Sequence, residues 1–243
     1  MRNLWVFGDS FADENDNNAI NKLIWTRKIA NDLECNLNSF GKYGTAIEYS
    51  VQQYLKVRND IQQNDVVIFV TTNPYRVWWD KKNPNATTPL LHKQWTADYT
   101  KEDEKYVERL YLQSLERIDL KLDLLELLYN DLHSLAAQHE VNAVVLNAFN
   151  IPLIETRPAL SKPQITTGNK PLKDISAEEI QPPVQNLEKD FRPLHFSEAN
   201  HEILANKITE AINKKECIID LKTGFIKGIY TPATFIKTQK EIK

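Results

Sequence analysis

Two short apolar runs stand out along the chain: residues 4–7 (Leu4, Trp5, Val6, Phe7) and residues 66–70, each running straight into a polar cluster. Runs of this length, rich in β-favouring residues and bounded by turn formers, read as buried strands. Residues 65–72 are the clearest strand, and their continuous apolar character fits a central parallel strand covered on both faces. Residues 141–146 repeat the pattern, and residues 34–39 read as a short second strand. Between the strands the apolar spacing becomes helical: over 19–33 (Ile20, Leu23, Ile24, Ile29, Ala30, Leu33), over 46–58, over the leucine-rich 102–139, and over 197–212 with Ser197 as N-cap. Residues 102–139 contain no Gly or Pro. Their leucines do not keep a strict heptad, which favours one long core helix, kinked or split near Ser114 or Asp119, over a coiled coil.

Strands alternating with helices, several of them ending in polar loops, predict an α/β domain: a three-layer α/β/α sandwich with a parallel central sheet. The domain is expected over 1–213, with loop insertions at 74–101 and 151–189. Residues 217–221 and 225–230 flank Lys222-Thr223-Gly224, a hairpin signal, so 214–243 reads as a small C-terminal β-hairpin with a basic tail. Residues 78–100 hold Pro84, Pro89 and the aromatics Trp78, Trp79, Trp95 and Tyr99. A loop this long has either a functional role or none of its own structure. Its aromatics either stack on a sugar or line an acyl pocket, or else pin the loop to the body. The Pro-rich 151–189 reads as an irregular excursion that lids the site or meets a partner.

Composition changes this picture little. With 42% hydrophobic and 26% charged residues the chain is ordinary for a globular protein. A net charge of -3 gives no argument for nucleic acid or an anionic membrane as partner. No apolar run approaches the ~18 residues of a membrane span. The first strand starts at residue 3 and leaves no room for a leader, so a cytoplasmic protein as synthesised is expected, with its site of action open. Cys35 and Cys217 have no metal-ligand spacing; two reduced thiols are favoured, one disulfide being the alternative.

The chemistry gathers at loop ends of the one sheet: Ser10, Gly44, Asn73, and His195 before the last helix. Asp9-Ser10 has an ordinary reading as a turn cap, because Gly, Asp and Ser dominate turns. The sharper reading makes Ser10 a nucleophile. Acyl transfer by a serine needs a base to take its proton and preorganised donors for the oxyanion; an imidazole, a glycine N–H and an asparagine amide supply these. His195 alone reads equally as a locally bonded helix-entry histidine. His92, His133, His139 and His201 have no paired acid at ligand spacing, so neither metal nor cofactor is expected, and His201 is expected at the surface.

These blocks resemble those of the SGNH (GDSL-type) hydrolases. Gly8-Asp9-Ser10-Phe11-Ala12-Asp13 is similar to the first block, Gly41-Lys42-Tyr43-Gly44 to the second, Thr72-Asn73-Pro74-Tyr75-Arg76 to the third and His195-Phe196-Ser197 to the last, together spanning residues 3–213. The resemblance implies a flavodoxin-like fold, Ser10 as nucleophile, His195 as base, and an oxyanion hole of the Ser10 N–H, the Gly44 N–H and the Asn73 amide. Three places depart from the pattern, the first being Thr71-Thr72 in place of the usual glycine-containing approach to the third block. Pro74 stands where Asp is common, and Arg192 stands three residues before His195, where the family has its acid. Asp190, five residues back, is the candidate third member; a backbone carbonyl or another acid in a Ser–His dyad, and a degenerate site, are the alternatives. Arg76, Trp78, Trp79 and Arg192 are the candidate substrate-binding residues, Arg192 having a second reading as a surface ion-pair partner. The implied substrate is a small-molecule or carbohydrate ester. The rival expectation is a non-catalytic protein of the same fold, docking on a larger assembly through its C-terminal extension.

Overall fold

A computed structural model describes residues 2–13, 24–76, 118–149 and 198–226 except Cys217, with isolated positions among 102–113 and 165–175. Strand β1 (Asn3–Gly8) is followed by α1 (Trp25–Asp32), β2 (Asn36–Gly41), α2 (Ile47–Val57) with a 3-10 turn at Arg58–Asp60, and β3 (Val66–Thr71). Then come α3 (Ile118–His139), β4 (Asn142–Asn147), the two-residue β5 (Ile165–Thr166) and α4 (Glu198–Lys214). The strands form one sheet in the order β2-β1-β3-β4-β5, every pairing parallel. The protein is an α/β fold, as the alternation of patterns predicts.

Period-two alternation sends β-strand side chains to opposite faces, and two separate cores result. Leu4, Val6, Val66, Ile68, Val70, Val144 and Leu146 meet α1 and α4 on one face. Trp5, Phe7, Val67, Phe69, Ala143 and Val145 meet α2 and α3 on the other. A strand buried on both faces cannot show polar alternation, which is why β1 and β3 read as unbroken apolar runs. The polar β2 (Asn-Leu-Asn-Ser-Phe-Gly) lies two residues later than expected. Its place is set by a register against β1 running from Asn3 opposite Asn36 to Gly8 opposite Gly41.

The edge opposite the loops of interest is fastened by Asp65, a buried carboxylate. It accepts bonds from the Asn3 N–H at 2.7 Å, the Trp5 indole at 2.8 Å and the Gln62 N–H at 3.0 Å.

Three expectations need correction. The Pro-rich 151–189 contributes a strand, β5, and buries Leu172 and Ile175 in the first core. The C-terminal segment is no detached appendage where it is described: Ile219, Leu221 and Phe225 belong to that core. Asn200 on α4 clasps Ile226, accepting from its N–H and donating to its carbonyl, each at 2.8 Å. Ile218 is a bridge residue, and Cys217 and 227–230 of the expected hairpin lie outside the described residues. Residues 222–224 bend around Asp220, which accepts from the Lys222 N–H at 2.7 Å. Finally, His201 is buried rather than at the surface. Positions 201, 204, 205, 208 and 212 make one helical stripe, and α4 lays that stripe on the sheet.

The described residues among 102–113 are helical, in keeping with a helical 102–139. Cys35 is a buried free thiol whose burial raises its pKa; Cys217 lies outside the described residues. Among the described residues no helix is long and apolar enough to cross a membrane.

Candidate active site

In a parallel sheet all strands end at one edge, and ligands bind where the strand order reverses. Here the chain steps from β1 outward to β2, then returns to place β3 on the other side of β1. The reversal lies between β1 and β3. Ser10 follows β1, Gly44 follows β2, and Asn73 follows β3, so all three sit at that edge.

The loop after β1 is a tight turn built by Asp9. Its carbonyl accepts the Ala12 N–H at 2.9 Å and its Oδ1 accepts the Phe11 N–H at 3.1 Å. Phe11 and Ala12 then drop into the first core, and the Trp25 indole donates to the Phe11 carbonyl at 2.7 Å. Ser10 is left at the corner with 8% of its surface exposed. Gly8 has φ +154°, and a Cβ there would lie 2.7 Å from Val70 Cβ, so only glycine fits beneath the turn.

The loop after β2 is drawn against this turn. A Cβ on Gly41 would lie 2.2 Å from the Ala12 carbonyl oxygen, so the two loops touch backbone to backbone. The Lys42 N–H donates to the Gly8 carbonyl at 3.1 Å, and the Tyr43 N–H donates to Asp13 Oδ2 at 2.9 Å. Gly44 is buried with φ +73°, a conformation glycine takes without strain. Thr45 Oγ1 donates to the Lys42 carbonyl at 2.8 Å and reaches the Gly8 carbonyl at 3.3 Å.

The loop after β3 starts with Thr72, whose hydroxyl donates to Asp9 Oδ2 at 3.0 Å and lies 3.1 Å from the Thr45 carbonyl. Asn73 closes a turn on itself: its Oδ1 accepts the Tyr75 N–H at 2.9 Å and its carbonyl accepts the Arg76 N–H at 3.1 Å. With the oxygen of the amide engaged, its NH₂ end is the part available to a ligand. Pro74, which cannot donate a backbone bond, occupies the second position of this turn, whose bonds come from the Tyr75 and Arg76 N–H groups.

Arg76, read from the sequence as a substrate contact, is instead found turned inward. Its Nη1 donates to Asp9 Oδ2 at 2.8 Å, to the Thr72 hydroxyl at 2.8 Å and to the Thr45 carbonyl at 3.1 Å. Its guanidinium lies 5.1 Å from the centre of the Phe149 ring, just past β4. Asp9 is fully buried, and a buried carboxylate requires such a counter-charge. One arginine thus joins the loops after β1, β2 and β3.

Lys121 on α3 escaped the sequence reading altogether. It is 7% exposed, and its Nζ donates to the carbonyls of Arg76 at 2.5 Å and Pro74 at 3.2 Å while pairing with Glu48 on α2 at 3.2 Å. The signal existed: positions 121, 125, 128 and 132 fall on one stripe at helical spacing, so a lysine there points inward with the leucines. His195, Asp190, Arg192, Trp78 and Trp79 lie outside the described residues.

No family model matches the chain, and neither does any curated protein or solved structure.

Proposed function

We infer that the protein is a serine esterase of the SGNH type, acting on a small-molecule or carbohydrate ester. The observation that supports this best is the lacing of three loops, separate in sequence, at the sheet's switch point: Ser10, the Gly44 turn and the Asn73 turn share bonds through Asp9, Thr45, Thr72 and Arg76. A turn cap alone does not call for this convergence, whereas an acyl-transfer site does.

In the proposed reaction the Ser10 hydroxyl attacks the acyl carbon and His195 takes its proton. The carbonyl oxygen becomes an oxyanion held by the Ser10 and Gly44 N–H groups and the Asn73 amide. The C–O bond to the alcohol then breaks and His195 returns the proton to the leaving oxygen. Water, deprotonated by the same imidazole, attacks the acyl-enzyme and releases the acid and free Ser10. Asp190 orients His195. Arg76, occupied by Asp9, has a structural part in this scheme, leaving Trp78, Trp79 and Arg192 for the substrate.

The test combines labelling by a fluorophosphonate probe with hydrolysis of p-nitrophenyl acetate. Wild type is expected to label and turn over, and Ser10→Ala and His195→Ala to lose both. Turnover no faster than Ser10→Ala removes the esterase reading and favours a non-catalytic docking protein. Asp190→Asn is expected to lower the rate strongly; an unchanged rate transfers its role to another acceptor.

A further inference from the structure

We propose that Lys121 is a positioning residue that clamps the turn carrying Asn73 and so holds the Asn73 amide in place as an oxyanion donor. The proposal rests on the esterase reading for the second half of that statement and on geometry alone for the first.

A protonated lysine offers three donors, and three acceptors surround this one: the Pro74 carbonyl, the Arg76 carbonyl and the Glu48 carboxylate. The first two bracket the turn that Asn73 opens. Its side-chain oxygen is fixed by the Tyr75 N–H and its carbonyl by the Arg76 N–H, so any rotation of the 74–76 peptides carries the Asn73 amide with it. Arg76 is held from its far end by Asp9. The turn is therefore pinned at its carbonyls by Lys121 and at its side chain by Asp9. Glu48 supplies the charge that lets an ammonium sit in a buried place.

The ion pair with Glu48 by itself gives no reason for a lysine here. A buried ion pair can often be replaced by apolar side chains of similar volume without loss, and the neighbouring positions of the α3 stripe are leucines. What an apolar side chain cannot do is hold two carbonyl oxygens. Donor placement is where such a clamp would act, because an oxyanion donor works only at hydrogen-bond distance from the developing charge.

The experiment uses the full-length protein with Lys121→Met, which keeps an unbranched stem and removes the donors. Two readouts are taken. In hydrogen exchange, the Tyr75 and Arg76 amides are expected to exchange about tenfold faster or more, while Val67 to Val70 in β3 keep their protection. Unchanged exchange at Tyr75 and Arg76, or equal acceleration across β3, overturns the clamp. In hydrolysis of p-nitrophenyl acetate, kcat is expected to fall by about ten- to a hundredfold with KM nearly constant. In an Asn73→Ala background the same substitution is expected to change kcat by less than about twofold, because the group it positions is gone. Independent, multiplying losses overturn the positioning role. A wild type without Ser10-dependent turnover overturns the esterase reading and the oxyanion half of the proposal, and faster exchange at Tyr75 and Arg76 alone then supports the clamp.

Discussion

At the scale of single residues the loops of the site are joined by the buried Asp9–Arg76 pair and by the close approach at Gly41. Asp9 gives its Oδ1 to the backbone of its own turn and its Oδ2 to Thr72 and Arg76. Truncating Arg76 leaves a buried carboxylate without counter-charge. Arg76→Ala is therefore expected to lose about 3 kcal/mol of stability, with Asp9→Asn in the same chain recovering part of it; urea denaturation measures both. If the double variant is no more stable than the single one, the pair is not what holds the three loops. Gly41→Ala probes the close approach. Its Cβ would meet the Ala12 carbonyl at 2.2 Å, so either β2 or the Ser10 turn must move. The expected result is a loss of about 1–3 kcal/mol together with slower fluorophosphonate labelling at Ser10.

Arg76 also shows what a linear reading misses. In sequence it is a cation beside a candidate donor, which suggests a substrate contact; its inward direction follows from Asp9, sixty-seven positions away, being buried. Lys121 and His201 were open to a better reading, since each lies on the apolar stripe of its helix. Charge or polarity argued for the surface, and the stripe outweighed it.

Among elements, α2 and α3 are joined by a polar lock outside the site. Arg58 donates to both oxygens of Asp131, at 3.1 and 2.9 Å, and the Tyr54 hydroxyl donates to the same carboxylate. Burial raises the Tyr54 hydroxyl far above the usual tyrosine range, and Asp131 adds to the shift. For Asp131 burial works toward a higher pKa, but the bonds from Arg58 and Tyr54 outweigh it and hold the carboxyl below its ordinary value. A depressed folded-state pKa means that the stabilisation is complete above the unfolded value, about 3.9. It is lost as pH falls from there through the folded value. Asp131→Asn is thus expected to make stability less dependent on pH below about pH 4. Denaturation curves at a series of acidic pH values check this, and parallel wild-type and variant curves would show that the lock carries no linkage.

Most element positions were legible because burial on both faces writes itself as apolar runs in β1, β3 and β4. The exceptions have one cause, namely dependence on a distant partner. The polar β2 owes its place to register with β1, and β5 has two residues among prolines and exists through its pairing with β4.

For the whole molecule the parallel sheet separates two kinds of work. Its amino edge is tied by Asp65, which gathers the start of β1, the Trp5 indole and the turn before β3. Its carboxyl edge holds the Ser10, Gly44 and Asn73 loops, laced to one another through Asp9, Thr45, Thr72 and Arg76. Asp65→Ala would take the acceptor from the buried Trp5 indole and from the part-buried Asn3 and Gln62 N–H groups. A buried orphaned group costs about 1–3 kcal/mol, so a loss of about 2 kcal/mol or more is expected in urea denaturation. Yet Val6 to Asp9 separate Trp5, the contact of Asp65 farthest along β1, from Ser10, and among the described residues no side-chain bond of Asp65 reaches the loops. The rate of p-nitrophenyl acetate hydrolysis per folded molecule is therefore expected to stay within about twofold of wild type. Ser10→Ala is the converse, losing turnover while its denaturation midpoint changes little. A fall in kcat with Asp65→Ala, under conditions where the variant is fully folded, would show the two edges to be coupled through β1 and would place part of the site's rigidity at the far end of the sheet.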